Sequence, residues 1–298
     1  MLCFSPVTIE DKPVIQPFFD NHSFRNCDFS FSNIFSWKHF YHTTFATEGG
    51  FLFIRFQVNG HLPGYLFPLG KGDLADALNR IRQDARKRGD DFRLYAITPE
   101  MFARIEEAMP GQFSYEKKRE GYEYLYDSDK LISLSGKKYQ SKRNHINKFT
   151  RTYEWEYLPI TRAIIPDCLR LYRQWNAENS GRKSELSLTE ERIATETAFA
   201  HYEQLGLAGG ALRIDGDIRA YSYGQPLTAD TFGIHAEKCL YDIDGGFAMI
   251  NQQFAAHHCS AYRYINREED LGLESLRQAK LSYHPSILLE KGWVQPKH

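Results

Sequence analysis

Long apolar runs are missing from this sequence. Its most hydrophobic stretches, Phe51-Leu52-Phe53-Ile54 and Ile287-Leu288-Leu289, fall far short of the roughly 20 residues a bilayer-spanning helix needs, so no membrane span is expected. Cysteine is scarce too: Cys3, Cys27, Cys168, Cys239 and Cys259 are odd in number, scattered, and form no C-x-x-C pair. That pattern indicates neither a disulfide framework nor a zinc site and implies reduced, mostly buried thiols. The pairs His39/His42 and His257/His258 lack a third ligand at supporting spacing, so no metal site is expected. Excess charge is also absent, with 37 Lys and Arg against 38 Asp and Glu. Without a global field to attract nucleic acid or an anionic bilayer, DNA is not an expected partner, and any anion recognition must be local. The opening Met1-Leu2-Cys3-Phe4-Ser5-Pro6 has no basic leader and soon reaches Glu10-Asp11-Lys12, which suggests no signal peptide and a cytoplasmic location.

What is present is ordinary globular material: 298 residues, 42% hydrophobic and 25% charged, enough for two hydrophobic cores. Strand and helix patterns alternate. Phe51 to Val58 and Tyr65 to Phe67, with Asn59-Gly60 between them, read as a hairpin. Asp73 is a candidate N-cap for a helix whose apolar face carries Leu74, Leu78, Ile81 and Ala85. A strand over 92–97, a helix over 99–109 and a strand over 122–126 complete the first half, after an aromatic-rich packed element around 36–41. From Lys130 to Arg151 the composition shifts to Lys130, Lys137, Lys138, Lys142, Arg143, Lys148 and Arg151 with no Asp or Glu after Lys130, which places a domain boundary near 130. The expected domains are 1–129 and 130–298. The second half reads as a strand at 155–158, a helix through Cys168, Leu171, Tyr172 and Trp175, and a loop at Asn179-Ser180-Gly181. A helix then opens at the capping box Ser187-x-x-Glu190. A hairpin follows around Asp215-Gly216-Asp217, then a strand at 231–237. A helix starts at Gly245-Gly246, followed by a strand at 262–265 and a helix at 273–281.

The order of the second half, an antiparallel meander followed by glycine loop, helix, strand and helix, resembles the GNAT N-acyltransferase fold. The segment Tyr241-Asp242-Ile243-Asp244-Gly245-Gly246 departs from that fold's usual Q/R-x-x-G-x-G/A phosphate loop, and its acids would repel a pyrophosphate. Pro68-Leu69-Gly70-Lys71-Gly72-Asp73 holds the corresponding place in the first half, which suggests tandem duplication. Two further segments are similar to the DUF2156 family: Leu134-Ser135-Gly136-Lys137-Lys138 with Lys142-Arg143-Asn144-His145-Ile146-Asn147-Lys148-Phe149, and Tyr264-Ile265-Asn266-Arg267-Glu268-Glu269-Asp270-Leu271-Gly272 with Leu276-Arg277, Lys280, Ser282-Tyr283 and Pro285. That resemblance relates the chain to the C-terminal catalytic region of phosphatidylglycerol lysyltransferases and to Fem-type transferases. It implies an α/β (α+β) chain of tandem GNAT-like domains, each a mixed, mostly antiparallel sheet flanked by helices. It also implies an acyl or aminoacyl transferase with aminoacyl-tRNA or acyl-CoA as co-substrate and no tightly bound cofactor.

The residues then sort by chemistry. Lys138, Lys142 and His145 recur at three to four residues and would share a helix face, with Arg143 and Lys148 near its edge and Asn144 next to Arg143, suited to phosphates of tRNA, a nucleotide or a headgroup. A solvated linker helix is the alternative. Asn266, Arg267, Glu268, Arg277 and Lys280 fall in the C-terminal family segment as further substrate contacts. For the base that takes a proton from an attacking amine, Glu237 and the acids Glu268, Glu269 and Asp270 compete. His235, two residues before Glu237, is expected on the same strand face. Tyr283 is a candidate acid for the departing group, and Gly245 and Gly246 form the loop before the central helix. The rival reading is a non-catalytic tandem GNAT module that binds an anionic metabolite or RNA.

Overall fold

The computed structural model describes residues 2–57, 62–179 and 185–297, with side chains in the helix that starts at 185 described from 188. Met1–Glu123, Glu269–Arg277 and Leu288–His298 pack as one unit, and Tyr124–Glu268 with Gln278–Ile287 as a second. The make-up differs from the expected 1–129 and 130–298, because the chain leaves the first unit at Glu123 and its C-terminal strand Gly292–Pro296 returns to that unit's sheet. The short return strand follows Ile287–Leu289 after only Glu290 and Lys291, so its periodicity gave no reason to separate it from the second half.

In the first unit Thr44–Glu48 and Phe51–Phe56 pair antiparallel, and Phe56 faces Gly64 of the next strand, Gly64–Tyr65. The hairpin is therefore present, while its Asn59-Gly60 turn lies outside the described residues. Asp73 caps the following helix, Leu74–Arg88, its Oδ1 accepting from Ala75 N at 2.8 Å. Leu94–Ile97 then pairs parallel to Gly64–Tyr65, and Thr98 caps the helix Pro99–Ala108. Gly292–Pro296 lies between Leu94–Ile97 and Phe113–Lys117, antiparallel to both.

The second unit repeats that order. Trp155–Pro159, Ala208–Ile214, Asp217–Thr228 and Thr231–Cys239 form an antiparallel meander, with Asp215 and Gly216 at φ 50° and 91° closing its tight hairpin turn. The central helix Gly246–His258 follows, then Tyr264–Glu269, which pairs parallel to Thr231–Cys239. Glu123–Asp127 lies between Tyr264–Glu269 and Ile287–Leu289, the place that Gly292–Pro296 takes in the first sheet. Each sheet thus takes its inner strand from the opposite end of a repeat, and the tandem GNAT-like order holds in both.

Two irregularities position the chemistry of the second unit. Tyr223 pairs with Ala236 and Gly224 with Ile234, so His235 is the extra residue of a β-bulge. Pairing of the two parallel strands runs from Thr231–Tyr264 to Gly233–Asn266. Past that point side chains, not backbone, bridge the strands. Beneath them Tyr124, Tyr126, Phe232, Ile234, Phe254 and Ile265 form an apolar core, and Phe149, Leu212, Met249 and Ile250 belong to another. The helix Glu185–Ala200 begins upstream of Ser187, so Ser187 is not its N-cap; Ser180 and Gly181 lie outside the described residues. No helix among the described residues is long and apolar enough to cross a membrane.

Candidate functional site

The side chains that bridge the two diverging strands make a connected polar constellation in the second unit. Arg267 Nη2 donates to Glu237 Oε1 at 2.8 Å, and Asn251 Nδ2 of the central helix donates to Glu237 Oε2 at 2.9 Å. Glu237 is thereby fixed through both oxygens. Arg267 Nη1 is buried and has no hydrogen-bond partner. Burial disfavours the guanidinium charge, but Glu237, Tyr126 and Tyr283 more than restore it, so Arg267 stays cationic. A buried, charged donor left open costs on the order of 1–3 kcal/mol or more, which an incoming acceptor oxygen would recover.

Tyr283 stands beside this pair, its ring centre 4.9 Å from Arg267 Cζ and 3.9 Å from Lys142 Nζ. Lys142 also donates to Ser282 Oγ at 2.7 Å. Burial, then the nearby Arg267, bring its amine down to about 8 against the pull of Glu237. Burial raises the Tyr283 hydroxyl well above the ordinary phenol range, so it stays protonated at neutral pH. His235 Nδ1 lies 2.8 Å from Glu268 Oε1, and Glu268 holds a left-handed φ of 58° while its N–H donates to Asn266 Oδ1 at 2.8 Å. His235 and Glu237, expected on one face, therefore engage different partners, with the bulge at His235 interrupting the alternation.

Other expected ligand residues have partners within the protein or face solvent. Arg143 donates to the carbonyls of Leu134 and Gly136 and, at 2.5 Å, to Gln140 Oε1, so its guanidinium caps the turn before its own helix. Gln140 also donates to Asn144 Oδ1 at 2.8 Å. Lys138 is exposed and lies in the 3-10 turn Lys137–Tyr139 ahead of the helix Gln140–Thr152, so it does not share the helix face expected of it. Lys280 Nζ donates to the Arg267 carbonyl, and Tyr126 Oη donates to the Lys280 carbonyl at 2.8 Å, fixing the strand that carries Arg267.

The loop before the central helix is occupied by the protein itself. Asp244 pairs with Lys148 and lies 3.8 Å from His145, which neutralises one of the acids expected to repel phosphate. Gly245 takes φ 78°, and a Cβ there would stand 2.5 Å from the His145 carbonyl oxygen, so the basic helix is packed directly on this glycine. Gly246 opens the helix as expected.

Glu269, Asp270 and Arg277 are engaged within the first unit. Asp270, fully buried, accepts from Arg119 Nη1 at 3.0 Å and from Arg277 Nε at 2.8 Å. Glu269 joins Asp28 and Glu123 around the buried ammonium of Lys291, which lies 2.7 Å from Asp28 Oδ2 and 2.5 Å from Glu123 Oε1. Cys27 N donates to Glu123 at 3.1 Å. Ligand atoms of Cys27, Asp28, Glu123 and Glu269 lie within 4.8 Å of one another, a spacing a metal would suit, but the cation among them is Lys291. Burial raises the Glu123 carboxyl far above its usual range despite Lys291, whose ammonium the three carboxylates hold well above normal against its own burial.

Sequence reading missed Asn251 and Lys291. Asn251 opens the polar run Asn251-Gln252-Gln253 of the central helix, so nothing in the sequence set it apart although it alone of the three is fully buried; Lys291, in an ordinary C-terminal run, offered no signal either.

Comparison with known proteins matches residues 20–293 to the family model described as phosphatidylglycerol lysyltransferase, C-terminal. A conserved protein of unknown function from Bacteroides thetaiotaomicron is 42% identical, with 100% of both chains covered and a TM-score of 0.94. The C-terminal DUF2156 domain of a protein assigned as a lysylphosphatidylglycerol synthetase from Agrobacterium fabrum shares the fold at 16% identity, TM-score 0.67, over 97% of this chain and 92% of that one. FemX shares it at 7% identity, TM-score 0.60, over 98% and 97%. An uncharacterized protein of Mycoplasmoides gallisepticum is 27% identical over 184 residues, 58% of this chain and 55% of that protein, so the chain spans about half the length of the curated relative it matches.

Proposed function

This chain belongs to the phosphatidylglycerol lysyltransferase C-terminal family, and we propose that it is an aminoacyl transferase, moving an aminoacyl group from an ester donor to an amine or hydroxyl acceptor at the Arg267–Glu237 site. The observation that carries the reading is the unpartnered Nη1 of buried Arg267, held by a carboxylate that is itself fixed from both sides. A tetrahedral acyl-transfer intermediate places negative charge on the former carbonyl oxygen. A preorganised donor aimed at that charge lowers the barrier, with one such donor worth roughly 10²–10³ in rate. Glu237 orients Arg267. His235, hydrogen-bonded to Glu268, flanks the pair on the same two strands.

The donor we propose is aminoacyl-tRNA in preference to acyl-CoA. Support comes from the loop before the central helix, where Asp244 already engages Lys148 and the basic helix packs on Gly245, filling the place where a pyrophosphate would sit. The test is incubation of the protein with unfractionated tRNA charged with labelled amino acids, in the presence of small amines and of phosphatidylglycerol dispersions. Label should move to one acceptor class and should fail to move with Arg267→Ala. Transfer from acyl-CoA alone, or equal transfer by the variant, would contradict the proposal. A protein that binds charged tRNA and transfers nothing would instead be the binding module.

A further inference from the structure

We propose that Lys142 is the proton carrier of this site, giving a proton to the departing oxygen of the acyl donor and taking one from the attacking acceptor. The inference rests on the transfer reading above. Among the basic residues near the start of this unit, Lys142 differs in its surroundings: Arg143 caps a turn, Lys148 is tied to Asp244, and Lys138 is exposed. Lys142 alone of these turns onto Tyr283, the ring that Arg267 also covers, and its link to Ser282 Oγ fixes the ammonium there. The charged and titratable groups that face it are Arg267 and Glu237 from the two diverging strands and Tyr283 from the turn after helix Glu274–Leu281.

The step balances. A bond forms between the acceptor nitrogen or oxygen and the acyl carbon, and the bond from that carbon to the donor oxygen breaks. The Lys142 ammonium protonates that leaving oxygen, and the resulting neutral amine recovers a proton from the acceptor, so no oxidant or further reactant is needed. A fixed cation would serve only to stabilise charge, but burial on the Tyr283 ring and, after it, the nearby Arg267 bring the amine to about 8 and keep both of its forms accessible near neutral pH. That is what a proton carrier requires.

Two measurements test this. Lys142→Arg keeps the charge and loses the proton exchange, so kcat should fall by about 10²–10⁴-fold with KM nearly unchanged. Lys142→Met should fall at least as far, and circular dichroism melts of both variants should match the parent. Independently of turnover, competitive acetylation of the parent with acetic anhydride from about pH 6 to about pH 10, read by mass spectrometry, should find Lys142 titrating well below ordinary lysines. Parent-like kcat in Lys142→Arg, or titration of Lys142 in the ordinary lysine range, would overturn the inference. If Arg267→Ala abolishes transfer and Lys142→Arg does not, the transfer reading stands and only the role of Lys142 falls. If the parent transfers nothing, both fall.

Discussion

Replacing Lys291 by Met removes the cation that Asp28, Glu123 and Glu269 share while keeping much of the side-chain volume. Lys291 is 3% exposed and Glu123 is fully buried, so water does not replace the lost ammonium. Breaking a buried ion pair by removing one partner costs about 3–5 kcal/mol, and here Asp28 and Glu269 lose the cation they share while Glu123 loses a donor. For a unit of this size each kcal/mol lowers the melting temperature by about 2–4 °C, so the midpoint should drop on the order of 6–20 °C at neutral pH. The effect must also depend on pH. Glu123 has a folded-state pKa raised above its unfolded value, so its contribution is fully present below the ordinary glutamate range and is lost as pH rises through the raised value. Without Lys291 the force opposing that rise is gone, and the window widens upward. The deficit of the variant should therefore be smallest near pH 4–5 and largest above neutrality. Urea denaturation followed by circular dichroism across pH measures it. A deficit below about 1 kcal/mol, or one independent of pH, would refute the account of this cluster.

Arg143→Ala should lower stability by about 1–3 kcal/mol, because the Leu134 and Gly136 carbonyls lose a charged donor, and should leave affinity for charged tRNA within about twofold; a filter-binding titration with parallel melts checks both. Gly245→Ala combines a left-handed φ with a Cβ 2.5 Å from the His145 carbonyl oxygen and should cost about 1–3 kcal/mol by thermal denaturation. Acetyl-CoA should give no measurable heat in titration calorimetry at micromolar concentrations, whereas a low-micromolar Kd would show that the loop opens for a pyrophosphate.

The alternation of helices and strands was readable because its signals are local: Asp73 caps its helix, Asp215-Gly216 turns its hairpin, and Gly245-Gly246 opens the central helix. The exchange of inner strands was not readable, since Gly292–Pro296 and Glu123–Asp127 carry the same apolar pattern whichever sheet they enter. The site shows the same division. The run Asn266-Arg267-Glu268-Glu269-Asp270 was recognisable as important, but strand alternation and the left-handed Glu268 send its members to different partners: Asn266 to the Glu268 N–H, Arg267 to Glu237, Glu268 to His235, Glu269 to Lys291 and Asp270 to Arg119 and Arg277. Lys142 and Arg143 are adjacent and alike in charge, yet one lies on Tyr283 and the other caps a turn. Composition sees the charge, and only packing distinguishes the tasks.

The central claim is that buried Arg267, oriented by Glu237, stabilises charge on an acyl group undergoing transfer. Its most direct measurement is the single-turnover rate of aminoacyl transfer from charged tRNA by the parent, Arg267→Lys and Glu237→Gln under saturating protein. The account predicts a rate lower by about 10²-fold or more in Arg267→Lys and a smaller loss in Glu237→Gln, with donor affinity preserved in both. Parent-like rates in both variants would contradict it.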